Sequence, residues 1–579
     1  MQQRQFTRVT DGQDLDELEG GLSPVISTHN PEGQRLLNGK SNGSTATSAL
    51  ISEKEKYKAK QDDPVHKQGV DSEEITSTGL TDKDKKAMVL LVALYLLQGI
   101  PVGLAFGSIP YLLRSKLSYS QIGIFTLCTY PYSLKLLWSP IVDSVFSPKL
   151  GRRKSWIVPI QTIVGLMLWW LSRNINQYID KEIPDVRTLT FLFFTLIFFA
   201  ATQDIAVDGW ALTLLSKGNL SYASTAQTIG LNCGYFLSFT VFLAFNSVEF
   251  SNKYFRSVPL DYPLVSLSGY LRFGAIAYIL VTGYLAFFQP EDPVIGDDPD
   301  MDLKRVYTIM YRICRLKHVQ KFALVHLVSK LGTATNDAAT SLKLLEKGLS
   351  KEDLALAVLI DFPFQILFGW LAARWSSGDK PLKPWIRAMW FRILFAISAM
   401  ALIHYFPSPT SNGDEKAGGR NIPTYYFLLV IASTVLASFA STVQFVGISA
   451  FHTIIADPAV GGTYMTLVNT LSNLGGTWPR FFVLRGIDTL TKATCYISSE
   501  SNPSDPIMIS AHECVSEHGK AACADLGGEC RTERDGYYAT SAICIAVGAI
   551  LLLTFVQPTA RKLQALPNSA WRVKLDRQG

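Results

Sequence analysis

The sequence predicts an all-α polytopic membrane protein, with twelve transmembrane helices in two six-helix bundles and a disordered N-terminal tail. Three observations predict it. Only 18% of the 579 residues are charged and 48% are hydrophobic, whereas soluble proteins carry about a quarter charged residues. From Ala87 on, long apolar stretches alternate with short polar breaks, each near the ~20 residues that cross about 30 Å of hydrocarbon as a helix. Runs such as Thr190 to Ala201 are apolar throughout, whereas the strands of a closed barrel, the other backbone-satisfying architecture in lipid, alternate over about ten residues.

Taken in order, residues 1–86 are rich in Ser, Thr, Gly, Lys, Asp and Glu and read as a disordered cytosolic tail that cannot bury enough apolar surface to fold alone. No charged-then-apolar signal peptide follows Met1, so the first span is expected to serve as the targeting signal. The twelve spans are expected at Ala87–Leu113, Ser120–Val142, Ser155–Ser172, Leu189–Leu214, Tyr222–Val248, Gly269–Gln289, Gln320–Leu342, Asp353–Trp375, Trp385–Phe406, Tyr425–Ile455, Tyr464–Leu490 and Tyr537–Val556. A polar linker, 290–319, separates an N-terminal bundle (87–289) from a C-terminal bundle (320–556), and 557–579 form a C-terminal tail. Two six-helix halves joined by a central loop is the layout of major facilitator transporters, whose substrate site lies between the halves near the bilayer midplane.

The net charge of +6 resides in loops and tails, which reads as membrane topology and not as nucleic-acid binding. Lys149, Arg152, Arg153, Lys154, Arg374, Lys380 and Lys383 modestly favour cytosolic termini by the positive-inside rule. The cysteines argue more strongly. Of eight, Cys495, Cys514, Cys523 and Cys530 share the loop 491–536, while Cys128, Cys233 and Cys544 lie in spans and Cys314 in the linker. Four cysteines in one polar loop suggest two disulfides in an oxidising compartment, with three connectivities open. A zinc site using His512 and His518 is the alternative, but the closest cysteine pair, Cys523 and Cys530, is too widely spaced for a structural zinc. No cofactor or metal is expected.

Polar groups at membrane depth cost about 2.5–3.5 kcal/mol each, so they face a cavity or a partner. Asp204 and Asp208 are four apart on one face of span four and cannot both stay charged in a dry site without a cation or donors. A proton or cation relay and pairing with a base both remain open. Lys135 in span two and Lys330 in span seven, which also holds Asn336 and Asp337, are the bases most surrounded by apolar sequence; Lys135 is close enough to a helix end to snorkel. Asp361 with Gln365, Gln444 and His452, and Asn469 with Asn473 complete the set. Gly99, Pro101 and Gly103 after Gln98, and Gly475, Gly476 and Pro479 around Trp478, are expected to bend spans one and eleven. Asp143 followed by Gly151, Arg152, Arg153 and Lys154 is similar to the major facilitator signature loop, with a longer Asp-to-Gly interval, and is expected to serve the cytosolic gate.

Several segments resemble the acetyl-coenzyme A transporter family: Leu96–Pro101, Gly151–Trp156, Ala200–Leu212, Gly461–Leu467 and Ser472–Gly476. The resemblance covers roughly Ala87 to Lys574, with the N-terminal tail outside it. It implies an endoplasmic reticulum transporter that carries acetyl-CoA from cytosol to lumen and supplies lumenal acetyltransferases, with lipid as its solvent and no nucleic-acid partner. Such an anionic nucleotide needs fixed cations and aromatic faces. Lys135, Lys330 and Arg480 are the candidate cations; Tyr130, Tyr132, Trp210 and Trp478 the candidate aromatic faces; Gln98, Gln203, Asn336 and Asn473 the candidate polar contacts. Asp204, Asp208, Asp337, Asp143, Arg152 and Arg153 are candidates for coupling or gating. Another bulky anion, a peptide or a glycan is the alternative cargo, and a membrane acyltransferase the alternative class, although neither His404 nor His452 sits in a catalytic constellation. CoA exchange, proton coupling and facilitated movement all remain open, as does the oligomeric state.

Overall fold

The structure is a computed structural model describing residues 81–181, 183–216, 219, 222–291, 303–376, 380–407, 422–456, 461–499, 502–509, 514 and 517–572. The expected tail disorder and His512 fall outside the described residues. All twelve expected spans are helical. Spans three, four, six, eight, nine, ten and eleven are single helices: Lys154–Ile179, Val186–Leu214, Leu267–Phe288, Lys351–Ser376, Leu382–His404, Thr424–Ile455 and Gly461–Leu490. Spans one, five and twelve each contain a π-turn, at Leu104–Ser108, Leu237–Val241 and Leu552–Val556.

Nine of the described helices are long and apolar enough to cross a membrane; spans two, seven and eleven fall short. Span two is a chain of short pieces, Tyr119–Thr126, Leu127–Thr129, Tyr130–Leu134, Lys135–Leu137 and Ser139–Ser144, in which Pro131 and Pro140 each lack the backbone donor a continuous helix needs. Span seven runs Lys317–Ser329, tightens into a 3₁₀ turn at Leu331–Thr333 and resumes as Ala334–Lys347. Their polarity has a common cause: these spans face water-accessible space between the bundles, where hydrocarbon does not select against polar side chains. Outward-facing side chains such as Phe191 and Phe287 are exposed, as a lipid-facing surface requires.

Pro101 and Pro479 both lie inside continuous helices, with the π-turn Leu104–Ser108 directly after the first. The nearby glycines also serve packing. A Cβ on Gly99 would come within 2.6 Å of the Leu231 carbonyl and 2.7 Å of Gly234 Cα, so spans one and five meet backbone to backbone through small residues. Gly332 of span seven and Gly548 of span twelve make the equivalent approach in the second bundle.

The described part of the linker contains a helix, Leu303–Cys314, whose Tyr307 hydroxyl donates to the Leu137 carbonyl at 2.7 Å. After span eleven the chain forms a three-stranded antiparallel sheet of β1 (Lys492–Ser499), β2 (Asn502–Ile509) and β3 (Gly528–Arg534), ordered β2-β1-β3, with a helix at Glu517–Asp525. Two disulfides hold it, Cys495–Cys523 and Cys514–Cys530. Its apolar core is little more than Ala493 and the cysteines, so the cross-links replace a core too small to hold the loop. All four thiols are thereby spent, which removes the zinc alternative. This end of the bundles is called the disulfide face below, and the end carrying Asp82 and Gln564 the terminal face.

Candidate functional site: a cationic cavity between the bundles

Two buried charge clusters flank the bundle interface. In the first bundle, Lys135 pairs with Asp204 and lies 3.6 Å from Asp208. Tyr95 Oη and Gln227 Nε2 donate to Asp208 at 2.7 and 2.9 Å. The Gln98 amide, set with its nitrogen toward Asp204, donates to Asp204 Oδ1 at 3.2 Å. The four-residue spacing of the two aspartates puts both on the face that meets span two, so the pairing alternative describes their geometry. Gln203 donates to the Leu94 carbonyl at 3.4 Å, and Trp210 is buried in the apolar packing of spans one, three and four.

In the second bundle, Arg392 of span nine grips Asp337 through 2.7 and 2.6 Å hydrogen bonds and also donates to Gln444. His326 and His452 meet Nε2 to Nε2 at 3.1 Å, and His452 Nδ1 meets Asn469 at 3.0 Å. Lys330 donates to the Ser472 backbone carbonyl at 2.9 Å. Arg480 lies 5.5 Å from the Phe106 ring centroid across the interface, and its buried Nε has no hydrogen-bond partner. Among the described residues, no carboxylate lies within ion-pair distance of Lys330 or Arg480.

These two cations share a cavity of about 510 Å³ that both bundles line, within the ~300–1,000 Å³ typical of ligand sites. Span one contributes Phe106, span two Tyr132 and Ser133, span seven Lys330 and Asp337, and span eleven Asn473, Thr477 and Arg480, with Arg392 and Gln444 behind them. The charge balance decides what it attracts: Arg392 and Asp337 cancel, leaving Lys330 and Arg480 as an uncompensated positive pair at membrane depth. An anion with several acceptor oxygens would satisfy the Lys330 ammonium and the orphaned Arg480 donor at once. A larger hollow of about 630 Å³ lies at the disulfide face. Its cation Arg114 is already bound to Glu346, whereas Lys330 and Arg480 of the central cavity have no carboxylate within ion-pair distance among the described residues.

The cavity is sealed toward the disulfide face. Arg114 Nη2 and Tyr119 Oη both reach Glu346 of the other bundle at 2.7 Å, and the backbone N–H groups of Tyr119 and Ser120 donate to Asp488 at 3.2 and 2.6 Å. Lys343 bonds Glu346 and Asp535 beside them. At the terminal face, Asp143 pairs at 2.6 Å with Arg153 of its own bundle and accepts from Arg152 through its carbonyl, while Glu291 caps the Arg153 and Lys154 backbone.

Of the residues expected at the site, Lys330, Tyr132, Asn473, Asp337 and Arg480 line the cavity. Lys135, Gln98, Asp204 and Asp208 form the adjoining cluster behind Tyr132, whose ring lies 5.5 Å from Lys135 Nζ. Tyr130 and Trp478 are not among the lining residues; Trp478 ties span eleven to span seven through the Leu327 carbonyl at 2.9 Å. Asn336 accepts from Thr340 and faces a smaller hollow beside Arg392. Sequence reading overlooked Arg392, His326 and the gate formed by Arg114, Lys343, Glu346 and Asp488. A mid-span arginine in the run Met389–Phe395 carries the same cost in lipid as Lys330 and was a readable signal.

Comparison with known proteins bears on what such a cavity carries. A family model described as acetyl-coenzyme A transporter 1 matches residues 87–299, 295–383 and 378–573. An uncharacterized membrane protein of Saccharomyces cerevisiae is 42% identical over 573 residues, spanning 86% of this chain and 99% of its own. An uncharacterized protein of Schizosaccharomyces pombe is 39% identical over 500 residues, spanning 86% and 91%. Among solved structures, a bacterial homolog of the human lysosomal transporter Spinster aligns with a TM-score of 0.52 at 12% identity, spanning 84% of this chain and 100% of its own. The last likeness concerns fold alone, and the fold is that of the major facilitator transporters.

Proposed function

The chain belongs to the acetyl-coenzyme A transporter family, and from that premise we propose that it carries acetyl-CoA from the cytosol into the endoplasmic reticulum lumen by alternating access. It is a multi-pass membrane transporter and not an enzyme, as its family match supports; His452 is buried against His326, and His404 packs between Tyr405 and Tyr538. The observation that carries the substrate assignment is the uncompensated pair Lys330 and Arg480 in the central cavity. Acetyl-CoA carries about four negative charges on its diphosphate and 3′-phosphate. Lys330 and Arg480 are the cations that would receive them, and Phe106 and Tyr132 offer apolar faces to the adenine or the pantetheine arm.

Direction rests on the disulfides. Cys495–Cys523 and Cys514–Cys530 fit an oxidising compartment, which supports the reading in which the disulfide face is lumenal, both termini are cytosolic and lumenal acetyltransferases consume the cargo. The Glu346 gate then closes the lumenal side, and the state described is the one that loads from the cytosol. The domain reading of two transport bundles around a cytosolic linker follows from the same topology. Proteoliposomes containing the purified chain are expected to take up labelled acetyl-CoA saturably, with excess unlabelled acetyl-CoA abolishing the signal. Saturable uptake of a peptide, a glycan or another thiol-derived anion, with none of acetyl-CoA, would sink the assignment.

A further inference from the structure

Carboxylates lie at three places at membrane depth, and they differ in one respect. Asp204 and Asp208 have Lys135, and Asp337 has Arg392. Asp361, in the middle of span eight, has no cationic partner among the described residues. It is 4% exposed; its Oδ2 accepts from Gln365 Nε2 at 2.7 Å, and Oδ1 is buried with no partner. One neutral donor leaves an ionised carboxylate in hydrocarbon uncompensated. A protonated one has a single acceptor oxygen to satisfy and one O–H to place.

Among the described residues, the surroundings supply no base. Span ten offers Ser438, and its Gln444 is taken by Arg392. Span nine's Arg392 is held by Asp337, and span five presents Phe236. On span eight itself, Asp353 and Arg374 are the nearest described charges and lie two or more turns away along the helix. The next residue, Phe362, stacks on Phe236 of the opposite bundle with ring centroids 5.2 Å apart and planes 29° apart. Asp361 therefore sits beside a contact between bundles that must part when access changes sides, and Ser438 also lines the hollow next to the central cavity.

We propose that Asp361 is a proton-binding site whose loading and unloading accompany each change of access. While spans eight and ten are packed as described, Asp361 is held as the neutral acid. When Phe362 leaves Phe236 and water reaches the carboxyl, it releases its proton to water, giving a solvated carboxylate and a hydronium ion. It must regain a proton before the helices repack, because the packed site cannot hold the charge. Proton movement is thereby tied to the transport cycle, which deepens the acetyl-CoA reading and rests on it.

The full-length protein and D361N are compared in proteoliposomes with a pH dye inside. In the wild type, adding acetyl-CoA is expected to move protons, and a pH gradient to drive accumulation. In D361N, which imitates the neutral acid, both are expected to fall to the protein-free background while acetyl-CoA exchange without a gradient continues. Wild-type transport without proton flux, proton flux retained in D361N, or accumulation that follows sodium instead would overturn the proposal. A second reading needs no substrate. The infrared carbonyl stretch of a protonated carboxylic acid is expected in purified wild-type protein at neutral pH and absent from D361N; an unchanged band would also overturn it. If the wild type moves no acetyl-CoA, the functional reading fails by itself and the infrared band still decides whether Asp361 holds a proton.

Discussion

Reversing the charge of Lys330 with Lys330→Glu lowers acetyl-CoA uptake by at least about a hundredfold, while the protein unfolds at its normal temperature. The first half follows from the cavity. A charge-assisted hydrogen bond contributes about 1.5–3 kcal/mol, or roughly 10- to 150-fold in affinity, and a glutamate adds repulsion toward the phosphates. The second half follows from what Lys330 touches: its described polar partner is the Ser472 carbonyl, not a carboxylate, so no ion pair of the fold is broken. Lys330→Gln is expected to cost about tenfold on the same reasoning. Concentration-dependent uptake alongside a thermal melt of the same preparation separates the two effects. Unchanged uptake in Lys330→Glu would remove Lys330 from the substrate path.

Lys135→Ala behaves in the opposite way, failing first as a folded protein. Its side chain is 12% exposed and that of Asp204 1%. Removing the lysine therefore leaves a buried carboxylate with Asp208 near it and no base, a loss of about 3–5 kcal/mol for a broken buried pair. The double change Lys135→Ala with Asp204→Asn removes both charges and is expected to recover most of that loss, because the two positions act as one interaction. Thermal unfolding of the two variants and of Asp204→Asn alone closes the cycle. A stable Lys135→Ala protein with lost uptake would instead make Lys135 a substrate ligand.

The contrast between the two lysines marks where sequence reading stops. Both appear as bases in apolar surroundings, and nothing along the chain links Lys135 to Asp204, 69 residues away. Folding makes one an internal counter-ion and leaves the other open to a cavity. The spans themselves were legible because crossing hydrocarbon imposes length and apolarity on each separately. Spans two, seven and eleven were legible as spans but not as cavity walls, since their breaks and polarity acquire meaning only against the opposite bundle.

The gate was invisible for a related reason. Arg114, Glu346 and Asp488 sit at span ends, where charges are ordinary at a membrane interface, and only the meeting of the bundles turns them into a seal. Disulfide connectivity was equally hidden. Cys495 and Cys530 stand opposite each other in the β1–β3 register, yet each bonds elsewhere, to Cys523 and Cys514. Gly99 and Pro101 are legible in the sequence as breakers, but the use the fold makes of Gly99 is not. In the fold the missing Cβ of Gly99 is used for contact with span five, and Pro101 is accommodated within the helix.

The central claim is that the phosphates of acetyl-CoA bind between the bundles on Lys330 and Arg480. Cryo-electron microscopy of the full-length protein with acetyl-CoA tests it directly. Density for the diphosphate or the 3′-phosphate within hydrogen-bond distance of the Lys330 ammonium and the Arg480 guanidinium is the expected result, with Lys135 still on Asp204. Phosphate density on Lys135 or outside the central cavity, with Lys330 and Arg480 untouched, would contradict it.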